Sequence, residues 1–298
     1  MSWFAKLPPN IRGIVLMAIS AFCYAVMTAI VRGLRHDFHF TEVVFFRLAF
    51  GVFAMAPVLI KGGFASMKTD KVGRYVYRAG LQGAAMACYY LGLALLPLAM
   101  GVSLYNLTAI FIAVLAIFVL GEPSVLGRWM VVALGLAGAL IIVRPTVEGV
   151  DFGALLVIAS CVLYALYQVD AKVLSRTEPV PHIVFWTMVL SAPMALVPAA
   201  FFWTWPTIEQ LFWLFIMSVS GTFANWAMTQ AYKIGEMTAI APVSYTQMVW
   251  AGVIGFFVFS EVPDLYMWIG AGMIAAAGIL LSQMEARRAR LRVAAQTA

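Results

Sequence analysis

Residues 13–32 read GIVLMAISAFCYAVMTAIVR, and residues 153–172 read GALLVIASCVLYALYQVDAK. Overlaid at a shift of 140 residues, they match at Gly13/Gly153, Ser20/Ser160, Tyr24/Tyr164 and Ala25/Ala165, and Arg32 meets Lys172. Further along, Trp129 and Gly121-Glu122 answer to Trp268 and Ser260-Glu261 at a shift of 139. Self-similarity at a fixed period means two copies of one structural unit. Each copy holds five apolar runs, an odd number, so the second must cross a bilayer in the opposite sense to the first. Inverted repeats of this kind characterise secondary transporters that bind substrate near the bilayer midplane.

Composition agrees with a membrane solvent. Of 298 residues, 64% are hydrophobic and 11% charged, with a mean hydropathy of +0.95. Soluble domains carry about 25% charged residues. The sequence pI of about 9.3 does not point to nucleic acid, because the basic residues sit in short loops and the tail instead of forming one patch. Cys23, Cys88 and Cys161 all fall inside apolar runs without a CxxC pair and read as small packing residues. The first run is too long for a signal-peptide core and lacks an A-x-A site, so it reads as a membrane helix.

Apolar runs near the roughly 20 residues needed to span hydrocarbon fall at about 11–33, 41–60, 75–96, 98–120, 125–143, 152–172, 183–203, 209–233, 237–260 and 264–284. Leu96-Pro97-Leu98 separates the third from the fourth, since proline removes an amide donor. Fifteen basic residues fall on the side of the N-terminus against three on the other, which predicts both termini in the cytoplasm. Runs of this length exclude a barrel. The expected fold is therefore an all-α membrane protein of ten transmembrane helices: one five-helix repeat over 11–143, a second over 152–284 and a basic tail over 285–298. Gly80, Gly83, Ala84 and Ala87 share one helix face, and Ala133/Ala137 and Gly272/Ala276 repeat the small-xxx-small spacing, all read as packing surfaces.

Polar side chains inside spans are costly and mark a cavity or a structural network. Ser103, Tyr105, Asn106 and Thr108 lie near the middle of the fourth run, and the shift of 139 carries them onto Pro242, Ser244, Tyr245 and Gln247 in the ninth. Thr222, Asn225 and Thr229 share a face of the eighth run, and Gln82, Tyr89 and Tyr90 lie in the third. Tyr167 and Trp226 are candidate aromatic walls. The substrate-binding set expected from this pattern is Tyr89, Ser103, Asn106, Asn225, Trp226, Ser244, Tyr245 and Gln247. Two intramembrane charges stand apart. Arg47 must be paired or face water, with Glu42 as the nearest acid in sequence; structural pairing is favoured over binding of a substrate carboxylate. Asp170 is read as a local ion pair with Lys172, and Glu122 and Glu261 as helix caps at corners.

His36, His39 and His182 lie in loops or at span ends, and no HExxH, GxSxG or Walker A pattern occurs. No enzyme, cofactor or metal site is therefore expected. An intramembrane enzyme acting on lipid or isoprenoid substrates is the rival class. The expected partners are a small-molecule substrate and membrane lipid, with no nucleic acid; monomer and homodimer are both compatible with the sequence.

Residues VVFFRLAFG (43–51), the corner FVLGEPSVLGRWMVVALGLAGALII (118–142) and its echo FVFSEVPDLYMWIGAGMIAAAGILL (257–281) resemble the EamA-type transporters of the drug/metabolite transporter superfamily. The resemblance implies a ten-helix basket in the bacterial inner membrane, working by alternating access. Within it the chain is similar to YddG-type exporters of aromatic and other neutral amino acids. The same lining would suit a flavin, so vitamin or nucleoside uptake is the alternative. In the echo, Ser260 replaces the corner glycine.

Overall fold

The structure, a computed structural model, describes residues 8–62, 71–120, 126–144, 151–174, 177–178, 180–234 and 240–297. Its elements are α1 (Pro9–Gly33), α2 (Phe40–Gly62), α3 (Val72–Leu95), α4 (Leu98–Tyr105), α5 (Thr108–Leu120), α6 (Leu126–Val143), α7 (Phe152–Leu174), α8 (Val180–Ala200), α9 (Ile208–Ile234), α10 (Thr246–Phe259) and α11 (Leu265–Thr297). A 3-10 stretch, Ala241–Tyr245, leads into α10. Among the described residues there is no strand. Five stretches are long and apolar enough to cross a membrane: Pro9–His36, Leu98–Val119, Phe152–Ala171, Ile208–Met228 and Leu265–Met284. Successive segments run up and down. The end of the bundle where α1 begins is called the near end below, and its opposite the far end.

The repeat is visible in the packing. The near half of α1 lies on α9, and the far half of α7 lies on α3. Gly13 makes the first crossing possible: a methyl there would sit 3.2 Å from the Ala231 carbonyl and collide with Ile240. Its repeat mate Gly153 does the same at the other end, where a methyl would reach Leu95 Cβ at 3.0 Å and Leu96 Cγ at 2.9 Å. Ser20 and Ser160 are both buried, and their hydroxyls donate to backbone carbonyls, of Ala224 at 2.7 Å and Val157 at 2.6 Å. Lipid supplies no hydrophobic drive between helices, so close backbone approach and bonds such as Ser20 to Ala224 hold the bundle, whereas the Ser160 bond stays within α7.

Where α6 crosses α11, Gly138 and Gly270 meet: a methyl at Gly138 would lie 2.7 Å from the Gly270 carbonyl and 2.9 Å from Met273 Cβ. The expected small-residue pairs have the right spacing on the wrong face. Ala133, Gly272 and Ala276 are exposed, one helical step around from the seam. The stripe Gly80, Gly83, Ala84 and Ala87 is likewise not a packed crossing. It lines an open groove of about 330 Å³ against Ser191, Met194 and Pro198 of α8, and nothing lies within 4 Å of a methyl at Gly83.

At the far end, Glu261 binds three elements together. One carboxylate oxygen accepts the Leu98 N–H at 2.7 Å, at the start of α4, and the carboxylate pairs with Arg32 of α1. Arg32 also donates to the Leu93 carbonyl at 2.9 Å. Glu261 is thus a helix cap as expected, but of α4, which its own sequence neighbourhood does not reveal. Glu122 lies outside the described residues. Trp205 is 85% exposed beside Phe201 and Phe202 at this end, placing aromatic rings where headgroups meet hydrocarbon.

Ser260 closes α10 at φ 55°, ψ 30°, the left-handed conformation that glycine adopts without cost. Ser260→Gly is expected to stabilise the protein by about 1 kcal/mol, read as a higher melting temperature in detergent. Gly138→Ala pushes a methyl against backbone that cannot yield, and should lower stability by about 1–3 kcal/mol in the same measurement.

Candidate functional site

The two central polar patches sit at two breaks in helical structure. After Tyr105 the chain leaves the α-helical pattern: Asn106 N–H donates to Ser103 O at 3.3 Å and Leu107 N–H to Leu104 O at 3.0 Å. Asn106 Nδ2 donates to Val102 O at 2.8 Å, and Thr108 Oγ1 to Tyr105 O at 2.6 Å. The ninth segment breaks as the 3-10 stretch, and Thr246 Oγ1 donates to Val243 O at 2.7 Å. Thr108 and Thr246 play the same part, so at the breaks the structural register between repeats is 138 residues, one shorter than the sequence overlay. Interrupted helices place backbone carbonyls and N–H groups at mid-depth, as transporter binding sites require.

Around the first break stands a wall of tyrosines. Tyr89 of α3 lies 4.1 Å from Tyr105, ring centre to ring centre, at 30°. Tyr105 is 6.1 Å from Tyr164 of α7, and Tyr164 is 5.4 Å from Tyr167. Tyr90 neighbours Tyr89 at 6.1 Å, and Tyr24 of α1 lies close to Tyr105 and Tyr164. Tyr89 Oη and Ser103 Oγ are buried and have no hydrogen-bond partner. Buried polar atoms are nearly always satisfied, so such orphans suggest a site that water or a ligand completes. Aromatic faces of this kind stack on a planar group laid against them and attract a cation.

An arginine stands at each flank of this wall. Toward the near end, Arg78 of α3 is almost fully buried. Its guanidinium lies 4.2 Å over the Tyr167 ring, and it donates to Tyr167 O at 2.8 Å, Asp170 Oδ2 at 3.3 Å and Thr187 Oγ1 at 3.3 Å. Arg74 grips the other Asp170 oxygen at 2.7 Å and 3.0 Å. Asp170 therefore pairs with two arginines of α3 on the opposite repeat; the side chain of Lys172, its expected partner, lies outside the described residues. Toward the far end, Arg47 of α2 faces the Tyr90 hydroxyl. Its expected partner is taken: Glu42 is fully buried and accepts from Thr204 N–H at 2.7 Å, the Thr204 hydroxyl and His39 N–H at 3.0 Å. Glu42 ties the start of α2 to the end of α8 and does not reach Arg47.

Of the expected binding residues, Tyr89, Ser103 and Asn106 gather at the first break. Tyr245 turns to α11, where its hydroxyl fills the notch left by Gly278. Ser244 and Gln247 are half-buried at the second break. Asn225 is exposed on the α9 face that Ser218 and Thr222 share. Trp226 is 51% exposed and stacks on Phe223 at 5.5 Å, in an exposed apolar stripe with Phe212, Phe215 and Val219. A 100° step per residue turns it away from Ala224 and Ala227, which pack inward, and it does not join the tyrosines at the first break. Reading the sequence residue by residue passed over Tyr164 and Arg78. The signals were there: Tyr24 and Tyr164 recur across the repeats, and Arg78 falls two turns inside its helix.

Residues 11–144 and 151–283 match the EamA-like transporter family. An S-adenosylmethionine uptake transporter of Rickettsia bellii is 26% identical, over 91% of this chain and 92% of the relative. A riboflavin transporter of Rhizobium johnstonii is also 26% identical, over 93% of each chain. One solved protein structure superposes with a TM-score of 0.63 at 16% identity, over 91% of this chain and 97% of that one, which shows a shared fold. The relatives' names support a metabolite transporter, not specifically a YddG-type amino-acid exporter. With both halves matched, this multi-pass protein of the bacterial inner membrane is a transporter, not an enzyme, and belongs to the EamA-like transporter family.

Proposed function

We propose that the protein carries a small amphipathic metabolite joining a planar ring to a charged amino-acid end, with S-adenosylmethionine as the first candidate. The tyrosine wall at the break between α4 and α5 is the observation that carries this reading. Its π faces suit both a purine ring and a sulfonium or ammonium cation, and a relative named for S-adenosylmethionine uptake supports the choice. Riboflavin is the second reading, since a flavin ring fits the same wall and another relative is named for it. The halves 11–143 and 152–284 act as opposed arms about the two breaks, giving alternating access across ten spans. Loop charges place the near end and the basic tail in the cytoplasm. Asp170 serves here as a clamp between the arms' helices α3 and α7.

Purified protein in liposomes should take up labelled S-adenosylmethionine saturably. Tyr105→Ala and Tyr164→Ala should each reduce flux at low substrate by roughly 3–10-fold, the worth of one aromatic contact, while phenylalanine at either position keeps most of it. Riboflavin flux without S-adenosylmethionine flux would move the assignment to the flavin. Asp170→Asn leaves the buried Arg78 uncompensated and should cost about 3 kcal/mol of stability. Arg74→Gln removes a side chain that is 39% exposed and should cost about 1 kcal/mol or less. Equal losses in thermal melts would refute the clamp.

A further inference from the structure

We infer that Arg47 binds the anionic group of the transported solute, and that this group is a carboxylate. The inference rests on the carrier reading above and adds to it the chemistry of one end of the substrate. It begins from the pseudo-symmetry. A shift of 140 residues carries Arg47 onto Thr187 and Arg78 onto Ser218. Both pairs touch in the structure. Arg78 Nε donates to Thr187 Oγ1 at 3.3 Å, where α3 meets α8. The Ser218 hydroxyl donates to the Arg47 carbonyl at 3.2 Å, where α9 meets α2. Each of the two equivalent helix contacts thus holds one arginine and one hydroxyl, supplied from opposite partners. The two arginines lie at similar depths, Arg47 about 10 Å from the far end of α2 and Arg78 about 9 Å from the near end of α3 at 1.5 Å per residue. Tyr164 sits within the field of both.

Their surroundings differ. Arg78 is neutralised by Asp170 and bonded to two further oxygens. Arg32, a third buried guanidinium, is neutralised by Glu261. Among the described residues no acid pairs with Arg47, and its buried Nε has no hydrogen-bond partner. A guanidinium does not lose its charge at any accessible pH, and an unneutralised charge at this depth is costly. The cost is met when an anion arrives. One guanidinium supplies one positive charge in a planar fork, which matches the charge and geometry of a carboxylate. A doubly charged phosphate would need a second cation.

The protein also keeps room for this side chain. A methyl on Gly221 would sit 2.8 Å from Arg47 Nη2 and 3.0 Å from Nε, and one on Gly51 3.2 Å from Nη1. Two glycines on two helices therefore form the cradle in which the guanidinium lies beside the tyrosine wall. A carboxylate on Arg47 leaves the rest of the molecule to extend along Tyr90, Tyr89 and Tyr105.

The test compares S-adenosylmethionine with its decarboxylated analogue, as competitors in liposomes holding the full chain. The wild type should favour the carboxylate form by about tenfold or more, the scale of a charge-assisted bond. Arg47→Gln should erase that preference, and Gly221→Ala, which crowds the guanidinium without removing it, should reduce it several-fold. An Arg47→Gln protein that weakens both competitors in equal proportion overturns the inference and leaves Arg47 a packing residue. So does a wild type that carries riboflavin, which has no carboxylate, and no carboxylate-bearing solute. If the wild type instead carries another amino acid, the first candidate substrate fails, and the same comparison with the matching amine decides the role of Arg47.

Discussion

Inside hydrocarbon no water completes a backbone hydrogen bond, so every N–H and C=O must find its partner within the protein. Among the described residues the chain answers this with helices almost throughout, and departs from it within spans at the turn Asn106–Leu107 and the 3-10 stretch Ala241–Tyr245. Both departures are repaired locally. Asn106 and Thr108 donate to carbonyls of α4, Thr246 donates to Val243, and the Cys161 thiol reaches the Leu104 and Tyr105 carbonyls at 3.5 Å. Around the first break the buried tyrosines collect, because their rings fill apolar space while their hydroxyls need the polar atoms a break exposes.

Charge is distributed by the same economy. Each end of the bundle is held by ion pairs joining elements of both repeats, Arg32 with Glu261 at the far end and Arg74 and Arg78 with Asp170 at the near end. Removing Asp170 or Glu261 strands a buried guanidinium, which explains why these acids and bases come matched. Arg47 is the exception, and the exception lies beside the wall of rings. On the inference drawn above, this charge is paired when the cargo is present.

The architecture was largely legible in the sequence. The overlay of residues 13–32 on 153–172 pointed to Gly13 and Gly153 as equivalent positions, and the structure gives both the same task of letting one helix start lie on another helix's end. The polar residues of the fourth and ninth runs pointed to mid-depth, where the breaks occur. Readings made from sequence neighbours met partners elsewhere in the fold. Glu42, five residues from Arg47, is taken by Thr204 and His39; Asp170 is held by Arg74 and Arg78 of α3. Trp226 is half exposed on α9 beside Phe223.

Composition, hydrophobic run length and the repeat, all local quantities, by themselves determined an all-helical membrane protein made of two repeats, because the bilayer permits few solutions. Only the tertiary structure decided which polar side chains are consumed by one another and which are left over. That distinction depends on contacts between residues 90 to more than 200 positions apart, such as Arg78 with Asp170 and Ser20 with Ala224. Periodicity says which face of a helix is special; only the fold says what stands opposite it.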